Sequence, residues 1–72
     1  MKVKSIDEII IVLAGNYEQF KNWDNQMEKH PAIIFKYACR REDILGIHGA
    51  YVLRVGEYWL NPLDKIVADR LP

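Results

Sequence analysis

Three segments of this 72-residue chain carry side chains with chemistry to offer: Gly15-Asn16-Tyr17, Cys39-Arg40-Arg41 and Gly56-Glu57-Tyr58-Trp59. Gathered in one place, they would meet an anion with the free N–H groups of a helix start and with two guanidinium groups. Tyr58 or Trp59 would add a ring to stack on a base. The pattern is not specific. One glycine and an amide make neither the three-glycine dinucleotide fingerprint nor a phosphate loop with its lysine. A plainer reading has the glycines turning the chain and the aromatics packing the loop ends. Whatever rings and arginines then remain in solvent meet another macromolecule. Asn16, Tyr17, Arg40, Arg41, Glu57, Tyr58 and Trp59 are the candidate binding residues under both readings.

No catalytic constellation emerges beside them. His30 and His48 lie in unrelated segments, one before a proline and one between two glycines, with no carboxylate at a helical ligand spacing. Cys39 adjoins Arg40 and Arg41, which would favour a thiolate, but the sequence places no base near it. Glu57 and Asp64 are explained by solvation and helix capping alone. The expectation is therefore a chain with no catalytic residues, no metal ligands and no cofactor. It is not an enzyme on this reading.

The elements that must position the three segments follow from hydropathy patterning. Ile9-Ile10-Ile11-Val12-Leu13-Ala14 is β-branched without polar alternation, the mark of a strand buried on both faces. Asn16 with Gln19 three residues later makes a capping-box start, and Tyr17, Phe20, Trp23 and Met27 give the helix one apolar stripe, read as core. His30-Pro31 is its expected end. Ala32–Tyr37 and Tyr51–Val55 read as the other two strands. Lys36 and Arg54 break one face of each, which puts both at sheet edges with solvent access. On this reading charge reversal at either position leaves the fold intact. Arg40–Ile47 predicts a short middle helix. Asn61-Pro62 with Asp64 announces a last one, its apolar face running through Leu63, Ile66, Val67 and Leu71.

The order is thus βαβαβα. Gaps of seventeen and thirteen residues, Gly15 to Pro31 and Ala38 to Ala50, suffice for parallel crossovers. With the most apolar strand central, the expected fold is α/β: a three-stranded parallel sheet of order 2-1-3 with helices on both faces. The face under the short middle helix should be the less covered one. In such a sheet ligands bind beyond the carboxyl ends of the strands, where all three segments fall.

Composition sets the limits. A chain of this mass folds with roughly 4,700 Å² exposed, against roughly 12,000 Å² unfolded, which leaves one thin core and a single domain spanning residues 1–72. Ten basic and ten acidic side chains balance, which removes the usual argument for generic nucleic-acid or anionic-membrane binding. One cysteine excludes a disulfide framework and fits a reducing compartment. Lys2 and Lys4 before an apolar run imitate a signal peptide, but six apolar residues interrupted by nearby Asp7 and Glu8 are too few. The expected location is cytoplasmic. The thin core and an under-covered sheet face also favour self-association. The two edge strands offer backbone groups for sheet extension, moderated by Lys36 and Arg54.

Val12-Leu13-Ala14-Gly15-Asn16-Tyr17-Glu18-Gln19-Phe20, followed by Trp23, resembles the opening of a group of small, mostly uncharacterised bacteriophage proteins. Tyr37 through Ile47 and Val52 through Pro62 resemble the same group in order and spacing. The resemblance implies a phage or prophage source, hence a bacterial host cytoplasm, and supplies no catalytic residues. The approach to Gly46 is longer than in that group, which leaves the alignment of Cys39 to Asp43 open. Together these readings predict a non-enzymatic accessory protein that binds, and by binding can inhibit, a host or phage macromolecule. The alternative is a minimal nucleotide- or phosphate-binding domain that uses the same rim.

Overall fold

The computed structural model describes residues 8–72; Lys2, Lys4 and Asp7, on which the reading of the N-terminus leans, lie outside them. Strand β1 (Glu8–Leu13) is followed by helix α1 (Tyr17–Gln26), β2 (Ile33–Tyr37) and β3 (Tyr51–Arg54). The sheet is parallel throughout, in the order β2-β1-β3. Ile11, Val12, Leu13 and Ala14 are wholly buried, and alternation sends them to opposite sides. Ile11 and Leu13 join Leu63 and Leu71 in one core, while Val12 and Ala14 join Phe20 in the other. The β-branched run is the two-faced central strand that its composition requires.

Helix α1 covers one face. Asn16 Oδ1 accepts from Gln19 N–H at 2.9 Å, the expected cap. Phe20 is buried, and Trp23 meets the Phe35 ring edge-on at 5.0 Å. The ends of the stripe behave differently from its middle: Tyr17 and Met27 are exposed, so only Phe20 and Trp23 act as core. The helix also closes at Met27, ahead of His30-Pro31, with Met27 N–H returning to Asp24 C=O.

The opposite face carries 3-10 turns at Arg41–Ile44, Tyr58–Leu60 and Pro62–Lys65 where two short helices were expected. The reason at the C-terminus is competition for backbone groups. A continuing α-helix would need Leu71 N–H to bond Val67 C=O. Instead Leu71 N–H donates to Ala50 C=O at 2.8 Å, and Val67 C=O accepts from Arg54 Nη2 at 2.9 Å. Val52 N–H adds a 2.8 Å bond to Asp69 C=O, so the C-terminal segment lies along β3 as a partial edge cover.

Arg54 is accordingly no solvated edge residue. Its Nε donates to Asp64 Oδ1 at 2.7 Å and its Nη1 to Asp69 Oδ1 at 2.8 Å. Exposure is also divided otherwise than the sequence predicts. Ile34 is open on the turn-covered face at β2, whereas Tyr51 and Leu53 are open on the α1 face at β3. Helix α1 packs toward β2 and leaves β3 bare on that side, apart from the Arg70 guanidinium 4.9 Å above the Tyr51 ring.

Candidate functional site

The rim at the carboxyl ends of the strands brings the first and third candidate segments together. Gln19 joins them. Its Oε1 accepts from Gly15 N–H at 3.1 Å and from Glu57 N–H at 2.9 Å, while its Nε2 donates to Glu57 Oε1 at 2.8 Å. The capping-box expectation sent this side chain back to the Asn16 backbone; the β3 loop claims it instead. Both glycines make room for the amide. A Cβ at Gly15 or at Gly56 would lie 2.7 Å from Gln19 Oε1, and Gly56 also has φ +56°. Two N–H groups of the rim, those of Gly15 and Glu57, are therefore turned inward onto a neutral side-chain oxygen.

Asn61 ties the rim to the second segment. It is 3% exposed, and its Nδ2 donates to Ala14 C=O at 3.0 Å and to Ala38 C=O at 2.8 Å, closing the ends of β1 and β2. Its Oδ1 accepts from Leu63 N–H at 2.9 Å, the N-cap role read from Asn61-Pro62. The loop beyond β2 is held by Asp43, whose Oδ2 accepts from Cys39 and Arg40 N–H at 3.0 and 3.1 Å. Those bonds, the Cys39 one foremost, hold its carboxyl below the usual 3.8 against a smaller opposing effect of burial. Burial first, then hydrogen bonding with Cys39, pushes the Tyr37 hydroxyl up to about 12.

A carboxyl whose folded pKa lies below its unfolded one stabilises the fold above the unfolded value and ceases to as pH falls through the folded one. The Asp43 contribution is thus intact at pH 7 and disappears below about pH 4. Asp43→Asn, which keeps an acceptor but not the charge, is expected to lower the melting temperature at pH 7 and to flatten its decline between pH 5 and pH 2. Melting curves across that interval check it, and an unchanged slope would refute the role.

The remaining candidates divide. Tyr58 and Trp59 meet edge-on at 5.3 Å, with Tyr58 packed on the core and Trp59 57% exposed. Leu60 beside it is 61% exposed and is not among the residues that the sequence pattern singles out, since a lone leucine in a loop carries no signal of its own. Tyr17 leans on the Tyr37 ring at 5.6 Å with most of its surface in solvent. Arg40 is exposed, its guanidinium 3.9 Å from Asp43 Oδ1. Arg41 parts from the group: it lines an apolar cleft of about 300 Å³ on the turn-covered face, with Ile44, Leu45, Ile66 and Leu71. His30 Nδ1 accepts from Ala32 N–H, and His48 lines both that cleft and an adjoining one with Glu8 and Ile9. Among the described residues no three His, Cys, Asp or Glu side chains converge as metal ligands. No helix there is long and apolar enough to cross a membrane. No family model, curated protein or solved structure matches the chain.

Proposed function

We propose that this chain is a non-enzymatic, phage-type accessory protein that binds a protein of the host or phage through the rim at the carboxyl ends of its strands. The observation that carries this reading is how the rim is built. Gln19 takes the Gly15 and Glu57 N–H groups internally, while Tyr17, Trp59, Leu60 and Arg40 are left in solvent. Aromatic rings and arginines in solvent are what protein interfaces are centred on. An anion would instead face the Glu57 carboxylate and find Gly15 and Glu57 N–H already bonded. That favours a protein partner over the nucleotide or phosphate alternative. A partner held over this rim has its own surface covered, so inhibition follows where that surface is functional. The host cytoplasm is the setting in which such an encounter takes place.

The combined variant Trp59→Ala, Arg40→Ala tests the reading. Both side chains are exposed, so the melting temperature is expected to stay within about 4 °C of the parent. Retention of a stoichiometric host or phage partner on an affinity column is expected to be lost. Calorimetric titration of the parent with nucleoside triphosphates and with inorganic phosphate is expected to give no binding heat. Measurable heat that vanishes in Arg40→Ala would transfer the function to the phosphate alternative.

A further inference from the structure

The two edges of the sheet are treated differently by the chain. The outer edge of β3 is taken by the C-terminal segment, through Val52 N–H to Asp69 C=O and Leu71 N–H to Ala50 C=O. The outer edge of β2 has no strand beside it among the described residues. Glu8 N–H donates to Ala32 C=O and Ala38 N–H to Val12 C=O, so even-numbered residues along β2 turn their backbone groups toward β1. By the two-residue period, Ile33, Phe35 and Tyr37 turn theirs outward. Ile33 N–H is given to His30 C=O, which leaves the Phe35 and Tyr37 N–H groups directed away from the sheet.

We propose that β2 pairs antiparallel with β2 of a second copy about a two-fold axis through Phe35, making one six-stranded sheet of order 3-1-2-2-1-3. The register is dictated by which groups point outward. Outward-facing residues on both strands meet as hydrogen-bonded pairs when Phe35 lies opposite Phe35 and Ile33 lies opposite Tyr37. Four backbone bonds result: Phe35 N–H to Phe35 C=O in both directions, and Tyr37 N–H to Ile33 C=O in both directions. The surface is self-complementary, as a two-fold contact must be.

Side chains agree with that register. On the α1 face it sets Phe35 against Phe35 and Ile33 against Tyr37, the aromatic and β-branched pairs that stabilise neighbouring strands. On the other face it sets Lys36, the single charged residue of β2, against Ile34. The two ammonium groups are kept from facing each other, and each lysine stem lies over an Ile34 that is 41% exposed in the single copy. An axis through Ile33 or Tyr37 would leave much of the strand unpaired and carry Lys36 opposite His30 or Ala38. The two candidate rims then stand at opposite ends of the joined sheet, free for their partners.

Sedimentation equilibrium from about 1 µM to about 1 mM, with three proteins, tests this. The parent is expected to show a reversible monomer–dimer equilibrium. Ile34→Lys puts a second ammonium against Lys36 at two symmetry-related places and is expected to weaken the dimer about tenfold or more. Ile34→Glu puts a carboxylate there and is expected to tighten it relative to Ile34→Lys by at least as much, with the difference shrinking in 0.5 M salt. Circular dichroism of both variants reports whether the monomer fold is kept at this exposed position. In the parent, amide exchange at Phe35 and Tyr37 is expected to slow as concentration rises. A parent that stays monomeric at 1 mM overturns the proposal. So does a dimer equally weakened by lysine and glutamate, or one that leaves the Phe35 and Tyr37 amides unprotected.

Discussion

Asn61→Asp is expected to abolish folding at neutral pH. The exchange keeps the volume and the N-cap oxygen but removes both donors from a side chain that is almost fully enclosed. Ala14 C=O and Ala38 C=O, now bonded at 3.0 and 2.8 Å, would each face a carboxylate oxygen at the distance where the amide stood. A buried acceptor left without a donor costs about 1–3 kcal/mol, and an unpaired buried charge costs more. Two orphaned carbonyls and one stranded carboxylate thus exceed about 5 kcal/mol, comparable to the whole stability of a domain this size. The sign of the pH dependence follows. Folding favours the protonated carboxyl, which raises its folded pKa, so the loss is smallest below about pH 4 and grows as pH rises. Circular dichroism at pH 7 should show an unfolded chain, with recovered ellipticity on acidification. A cooperative melt at pH 7 within 5 °C of the parent would mean that Asn61 does not tie the strand ends together.

That residue also marks how far the sequence can be read. The strand order was legible because Ile9 to Leu13 has no polar alternation, and a strand with two apolar faces belongs in the middle. Asn16 and Asn61 were legible as caps, since a cap needs only the local backbone. The second task of Asn61, reaching carbonyls 47 and 23 residues away, leaves no local trace. Gln19 is a similar case. Its spacing from Asn16 fits a capping box, yet the partner it takes is the Glu57 loop, 38 residues on. The first and third segments do meet beyond the carboxyl ends of the strands, but the amide that joins them was not legible. Glycines at 15 and 56 read as turn residues, and they also make room for that amide. The C-terminal helix failed for the same reason: helical patterning from Leu63 to Leu71 is outbid by a guanidinium and a sheet edge that come from another part of the chain.

Arg54→Asp is the change for which sequence pattern and structure predict opposite results. Read as an edge residue, Arg54 tolerates reversal; placed as it is, it holds the C-terminal segment at three points. Its side chain is 22% exposed and that of Asp64 only 18%, so this pair is screened less than a surface one. Asp69 is 95% exposed and adds little by itself. The pairing with Asp64, more than that with Asp69, raises the Arg54 pKa, and the guanidinium is charged at every accessible pH. Removing it leaves Asp64 short of its partner and Val67 C=O short of its donor, at about 2–3 kcal/mol together. A carboxylate in its place adds repulsion from Asp64. Without the clamp, Leu71 and Leu63 lose the tether that keeps them over Ile11 and Leu13. The melting temperature of Arg54→Asp is expected to fall by roughly 15 °C, and by less in Arg54→Met, which retains the apolar stem. Because the C-terminal segment is what covers the β3 edge, hydrogen exchange at Val52 should quicken in the same variant ahead of global unfolding. A melting temperature within 3 °C of the parent, with Val52 still protected, would return Arg54 to the solvated edge role that its place in the strand first implied.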